Sequence, residues 1–166
     1  MKKRAKLVGL AVGVALGVWL FMVLFPGDDA LIRRQLARLA RTVSVQPRES
    51  PLARLAAGQK LGGFFSPDVI VRLKGAGSEL GDIQGRAQLT QVVMAAQTRI
   101  QQAQIQFLDA ELEVGADRES ATAHLTALAH VNGDHNPAVQ ELKFSFRNID
   151  GRWRIALVET VEASGR

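Results

Sequence analysis

The sequence predicts an α+β domain carried behind an N-terminal transmembrane helix, and three observations lead there. Residues 7–25 form one run of 19 uncharged, mostly apolar residues. From Asp28 to Ile100, apolar residues recur with the helical period of three to four. From about residue 105 to 157 the period drops to two, and each alternating stretch ends at a Gly, Asn or Asp turn. Helices followed by strands mark an α+β layout rather than alternating βα units.

The first element is the membrane anchor. As a helix, 19 residues span roughly 28 Å, close to a hydrocarbon core of about 30 Å. Pro26-Gly27 ends it, because Pro lacks an N–H donor and Gly favours turns. Trp19 falls near the far end, where indoles prefer the membrane interface. A cleaved signal peptide is the competing reading. Its apolar region is usually shorter and ends in small residues, whereas this run ends Leu24-Phe25-Pro26-Gly27. Lys2, Lys3, Arg4 and Lys6 favour a cytoplasmic N-terminus; Arg33, Arg34, Arg38 and Arg41 on the other side are diluted by Asp28 and Asp29. The expected organisation is a basic cytoplasmic tail at 1–6, a single transmembrane helix at 7–25, and a domain at 28–166. The protein is then a single-pass inner-membrane protein whose domain lies in the periplasm or outside the cell.

Composition narrows the function classes. The chain of 166 residues is 47% hydrophobic, too apolar for a disordered protein. The net charge of +5 suggests nucleic acid at first sight. The tail supplies four of the 21 basic residues, leaving 17 against 16 acids in a body close to neutral. A general phosphate-backbone surface is therefore not expected, and no nucleic acid is expected as a partner. The absence of cysteine excludes a disulfide scaffold, a thiolate metal site, a cysteine nucleophile and an acylated lipoprotein anchor.

The domain elements follow in order. Asp28 and Asp29 are expected to cap a first helix with an apolar stripe at Ile32, Leu36, Leu39 and Val43. Its Arg34, Arg38 and Arg41 fall away from the stripe, on a solvated face or against lipid head groups. Ser50-Pro51 starts a second helix, with Leu52, Leu55 and Ala56 expected inward and Gly62-Gly63 as its stop. Ser66-Pro67-Asp68 reads as a turn into a strand at about 69–73. A third helix opens near Gly85-Arg86, with a stripe of Leu89, Val92, Val93, Ala96 and Ile100. Four long strands follow. The first slips phase between Phe107 and Ala110, which predicts a β-bulge. Gly115-Ala116-Asp117, Asn132-Gly133-Asp134 and Asp150-Gly151 turn the chain between them. Long strands twist and curl, so three helices closing the concave side of an antiparallel sheet give a cone with a central space.

At this point the chain resembles the nuclear transport factor 2-like (NTF2-like) superfamily, which includes SnoaL-like proteins and ketosteroid isomerase and has a cystatin-like cone. The resemblance rests on Phe64-Phe65-Ser66-Pro67-Asp68-Val69, on Ile83-Gln84-Gly85-Arg86, on Asp150-Gly151-Arg152-Trp153-Arg154-Ile155, and on the order of elements along 28–163. A membrane helix before such a domain is similar to assembly components of bacterial envelope systems, which use the domain for docking. The resemblance also implies where an isomerase base would fall, and that position is Leu73. The oxyanion tyrosine of ketosteroid isomerase has no counterpart, since the chain contains no tyrosine.

The expected function is therefore a binding, docking or scaffold module of a bacterial envelope assembly. The alternative is a SnoaL-like enzyme acting on a small apolar ligand in the cone. Phe65, Phe107, Phe144 and Trp153 are the large groups expected to fill the cone or line its pocket. Asp109, at the bulge, is the one weak candidate for a catalytic base, because a bulge re-aims a side chain. No metal and no cofactor are expected: His124 and His130 lie about 20 Å apart on one strand, too far to share an ion. Expected partners are membrane lipid through residues 7–25, a second copy of the chain or other envelope proteins, and a small apolar ligand if the cone is open. The polar strand face with Thr122, Thr126, Glu141, Lys143, Ser145 and Arg147 is exposed to water or forms a homodimer interface.

Overall fold

The computed structural model describes residues 27–48, 50–75, 78–79, 82–134 and 136–161. In chain order the elements are α1 (Asp28–Val43), α2 (Pro51–Gly62), β1 (Phe65–Arg72), β2 (Lys74–Gly75), β3 (Ser78–Glu79), β4 (Ile83–Gln84), α3 (Arg86–Arg99), β5 (Ala103–Val114), β6 (Ser120–Val131), β7 (Ala138–Ile149) and β8 (Arg152–Thr160). No helix among them is long and apolar enough to cross a membrane. The expected tail at 1–6 and span at 7–25 lie outside the described residues.

Six strands form one sheet in the order β4-β1-β8-β7-β6-β5, and β2 pairs with β3 in a separate ribbon. Strands β5 to β8 make the expected antiparallel meander. The sheet as a whole is mixed, which corrects the antiparallel expectation: β1 runs parallel to β8, with Val71 opposite Val158. The connection from β1 to the meander contains α3, and a long crossover of this kind is what parallel pairing requires. The expected turn at Ser66-Pro67-Asp68 is also corrected. Those residues belong to β1, whose register against β8 is irregular between Phe65 and Ile70, a place where a strand tolerates Pro.

The three helices obey their periodicity to different degrees. In α1, Ile32, Leu36, Leu39 and Ala40 are buried and Val43 is partly so. Asp28 and Asp29 sit in its first turn, favourable to the helix dipole, but the N-cap is Gly27 and neither caps the helix. At the far end, the Ser44 hydroxyl donates to the Ala40 carbonyl at 2.7 Å and accepts from the Ile105 N–H at 3.0 Å. Val45 exchanges both backbone bonds with Ala103, so α1 is tied to the start of β5.

In α2 the Ser50 cap and the Gly63 stop are as expected, with the Ser50 hydroxyl accepting from the Ala53 N–H at 3.2 Å. The inward face is not. Leu52 is 78% exposed, Leu55 is 47% exposed and Ala56 is exposed; Gly58 and Leu61 are buried instead. Gly58 explains the rotation: a Cβ there would meet the Met94 side chain at 3.0 Å, so the missing side chain lets α2 and α3 approach on that face. The stripe of α3 is corrected in the same way. Leu89 and Gln97 are buried and Val93 and Ile100 partly so, whereas Val92 and Ala96 are exposed. Helix α3 packs with β1 on one side and α2 on the other, so its outer residues have no layer above them.

The strands carry the expected alternation. Ala121, Ala123 and Leu125 of β6 and Leu142, Phe144 and Phe146 of β7 are buried toward the helices. The bulge in β5 is present: pairing with β6 shifts between Leu108 and Glu111, and Asp109 adopts a left-handed φ of 51°. A second shift lies between Ser145 and Phe146 in the β7–β8 pairing. Asp150 and Gly151 have φ of 53° and 74°, both positive as a tight type I′ hairpin demands.

Candidate functional site

The space between helices and sheet is occupied by side chains. Phe65, Phe144 and Trp153 are buried, and Phe107 is partly buried against them. The Phe107 and Phe144 rings meet edge to face with centroids 5.6 Å apart, and Phe144 stacks beside Phe146 at 6.3 Å. Ile32, Leu36 and Leu39 from α1 and Val69, Val71 and Ile155 from the sheet belong to the same cluster. Leu73 is partly buried and packed on this core. Among the described residues, Ser66 and Gln97 are the buried polar ones. Neither side chain is an acid or a base.

Trp153 has a polar end, and the chain provides for it. Its indole N–H donates to the Asp28 carboxylate at 3.2 Å. The second oxygen of Asp28 accepts from Arg118, with a guanidinium nitrogen at 2.7 Å. One carboxylate thus joins the first turn of α1, the β5–β6 turn and the start of β8. The Arg118 hydrogen bond, aided by that of Trp153, holds the Asp28 carboxyl below its ordinary value. Sequence periodicity reads Asp28 only as a helix-start residue; its long-range partners lie 90 and 125 positions away.

Asp109 is exposed. Its neighbours around a cavity of about 220 Å³ include Glu111, His124, Thr126 and Glu141. Glu111 lies directly opposite His124, and Thr126 opposite Glu141. The same cavity is also lined by the buried core residues Leu125 and Leu142, so Asp109 is exposed at the bulge close to the edge of the core. No group of three His, Asp or Glu among the described residues is placed to hold a metal ion.

A third carboxylate was not singled out by the sequence. Asp68 pairs with Arg147, whose guanidinium also donates to the buried Ser66 hydroxyl at 3.4 Å. The Arg147 hydrogen bond, then that of Ser66, lowers the Asp68 carboxyl to about 2. The pairing favours the folded state fully above about pH 4 and is lost as the pH falls toward about 2. Because both side chains are exposed, solvent screening keeps the contribution small.

No protein-family model matches the chain, and no curated protein matches it in sequence. Solved structures do match in shape. A protein of unknown function with a cystatin-like fold from Nostoc punctiforme aligns over 82% of this chain and 92% of its own, with a TM-score of 0.62 and 18% identity. An NTF2-like protein with a cystatin-like fold from Novosphingobium aromaticivorans aligns over 91% and 90%, with a TM-score of 0.59 and 20% identity. A candidate scytalone dehydratase from the same organism aligns over 81% and 85%, at 0.59 and 12%. At such identities the likeness is one of fold. The domain has the cystatin-like, NTF2-like α+β fold, with three helices on a mixed sheet. That fold hosts unrelated functions, so the site and not the shape must argue the activity.

Proposed function

We propose that this chain is a membrane-anchored, extracytoplasmic binding or docking module without a reaction of its own. The observation that supports it best is the interior, where Leu73 and the aromatic rings pack into the core; the resemblance to ketosteroid isomerase would put the base at Leu73. The uncharged run at 7–25 supports the anchor. Washing membranes with alkaline carbonate tests it: the full chain should stay in the pellet, since a transmembrane helix inserts almost irreversibly. Recovery of a soluble mature protein starting near Asp28 would show a cleaved signal instead.

The reading includes self-association through the outer face of the sheet. Leu108 is 41% exposed and Val139 is 59% exposed there, and Leu128 lies opposite Val139 on the adjoining strand. Around them Thr126, Glu141 and Lys143 supply polar groups. A second copy would cover this mixture of apolar and polar surface. Sedimentation of the detergent-solubilised chain should give a dimer, and Val139→Arg should give a monomer. A monomer at every concentration would remove this part of the reading.

The second reading is a SnoaL-like enzyme for a small molecule. It is favoured by Asp109, held in a left-handed bulge beside Glu111 and His124. One structural neighbour is described as a candidate scytalone dehydratase.

A further inference from the structure

The densest unneutralised charge on the domain lies in a cleft between α1, the end of α2 and the β7–β8 hairpin. One cavity of about 330 Å³ is lined by Arg34 and Arg38 from α1 and by Arg152 and Arg154 from β8. A neighbouring cavity of about 480 Å³ shares Arg38 and adds Arg41 and Lys60. The two meet at Gly63 and Phe64. No Asp or Glu lines either cavity, and none of these six cations is within ion-pair distance of a carboxylate among the described residues. Elsewhere among the described residues Arg48, Arg54, Arg86 and Arg99 also lack a carboxylate within ion-pair distance, but the cavity at Arg48 and Arg54 is lined by those two cations alone. Arg33, Arg72, Arg118, Lys143 and Arg147 each have an acidic partner. Asp150, in the adjoining turn, is exposed and lines neither cavity.

The four arginines around the first cavity, with Arg41 and Lys60 around its neighbour, repel one another unless an anion sits between them. Guanidinium groups present planar forks of donors that match the paired oxygens of a phosphate. Gly63 leaves the floor open where a Cβ would stand 3.8 Å from the Arg154 guanidinium. We propose that this cleft is a binding site for a phosphate group, carried either by the head group of an anionic membrane lipid or by a soluble phosphate compound. The lipid source rests on the anchor reading. Arg34 lies about 10 Å along α1 from Gly27, two residues beyond the expected span, within reach of a head-group layer. The soluble source does not depend on the anchor.

The full chain in nonionic detergent, titrated calorimetrically at physiological ionic strength, tests the site. The probes are short-chain phosphatidylglycerol, short-chain phosphatidylcholine and inorganic pyrophosphate. Arg34→Gln with Arg152→Gln removes two cleft charges, and neither side chain makes an ion pair among the described residues. Arg48→Gln with Arg99→Gln removes the same charge elsewhere. Binding of phosphatidylglycerol alone identifies a lipid head-group site; binding of pyrophosphate as well identifies a general phosphate site. In either case the cleft variant should bind at least about tenfold more weakly and the control within about twofold of the parent, the scale expected when a charge-assisted contact is lost. Thermal midpoints of both variants should match the parent. Absence of binding by phosphatidylglycerol and pyrophosphate alike, or equal weakening by the control, would overturn the proposal.

Discussion

Replacing Trp153 by Ala is expected to destabilise the folded domain by about 3–5 kcal/mol, the usual cost of deleting a large buried aromatic. Trp153 is 5% exposed and belongs to the central cluster. Its removal also leaves Asp28 without the indole donor. Chemical unfolding of residues 27–166 checks the value, and a loss below about 1 kcal/mol would mean that the cone does not depend on this ring. Trp153→Phe keeps one aromatic ring in the core while removing the N–H and part of the indole's volume, so its cost should be smaller than that of Trp153→Ala.

Asp28→Ala is expected to cost about 1–3 kcal/mol, well beyond an ordinary surface change. Most of this is the cost of a buried indole N–H left without an acceptor; the Arg118 partner, which is 73% exposed, adds little. The pH dependence gives a second readout. Asp28 titrates below the ordinary value of 3.8 in the folded chain, so its contribution is complete above about pH 4 and disappears as the pH falls through the lowered value. The parent should therefore lose stability on acidification below about pH 4 more steeply than the Ala variant. Equal slopes, with a stability change under about 0.5 kcal/mol, would mean that α1 is not fastened to the sheet by this carboxylate.

The fold was legible where local periodicity and packing agree. The strands β5 to β8, their turns and the bulge near Asp109 follow from alternation alone, because one face of each strand is buried. Helix α1 follows because a full sheet lies beneath its stripe. Helix α2 misleads: Leu52 and Leu55 have helical spacing, yet Gly58 sets the contact, and a residue without a side chain leaves no mark on an apolar pattern. In α3 the buried Gln97 hides for the same reason, being polar while its backbone carbonyl accepts from Arg54. The parallel pairing of β1 with β8 is a long-range choice that no local window contains.

The candidate sites divide along the same line. The aromatic set Phe65, Phe107, Phe144 and Trp153 comes together because each residue belongs to an inward face, and inward faces are readable. Asp109 is legible as a bulge residue, but its surroundings depend on the pairing of β5 with β6, which no local window contains. Asp28, Asp68 and the cleft arginines act through partners distant in sequence. Arg34, Arg38 and Arg41 read as a solvated helix face until Arg152 and Arg154 join Arg34 and Arg38 around one cavity.

The account stands most directly on whether the chain works without catalysis, and Asp109 is the residue that decides it. Asn keeps the size of Asp and tolerates a positive φ, so Asp109→Asn preserves the bulge while removing the charge and the base. Introduced at the native locus, the variant should leave cell behaviour indistinguishable from the parent, in contrast to deletion of the chain, and should change domain stability by less than about 0.5 kcal/mol, as at an ordinary exposed site. A strain that behaves like the deletion, while the Asn variant accumulates to parental levels and unfolds at the parental midpoint, would contradict the docking account and establish Asp109 as a reacting group.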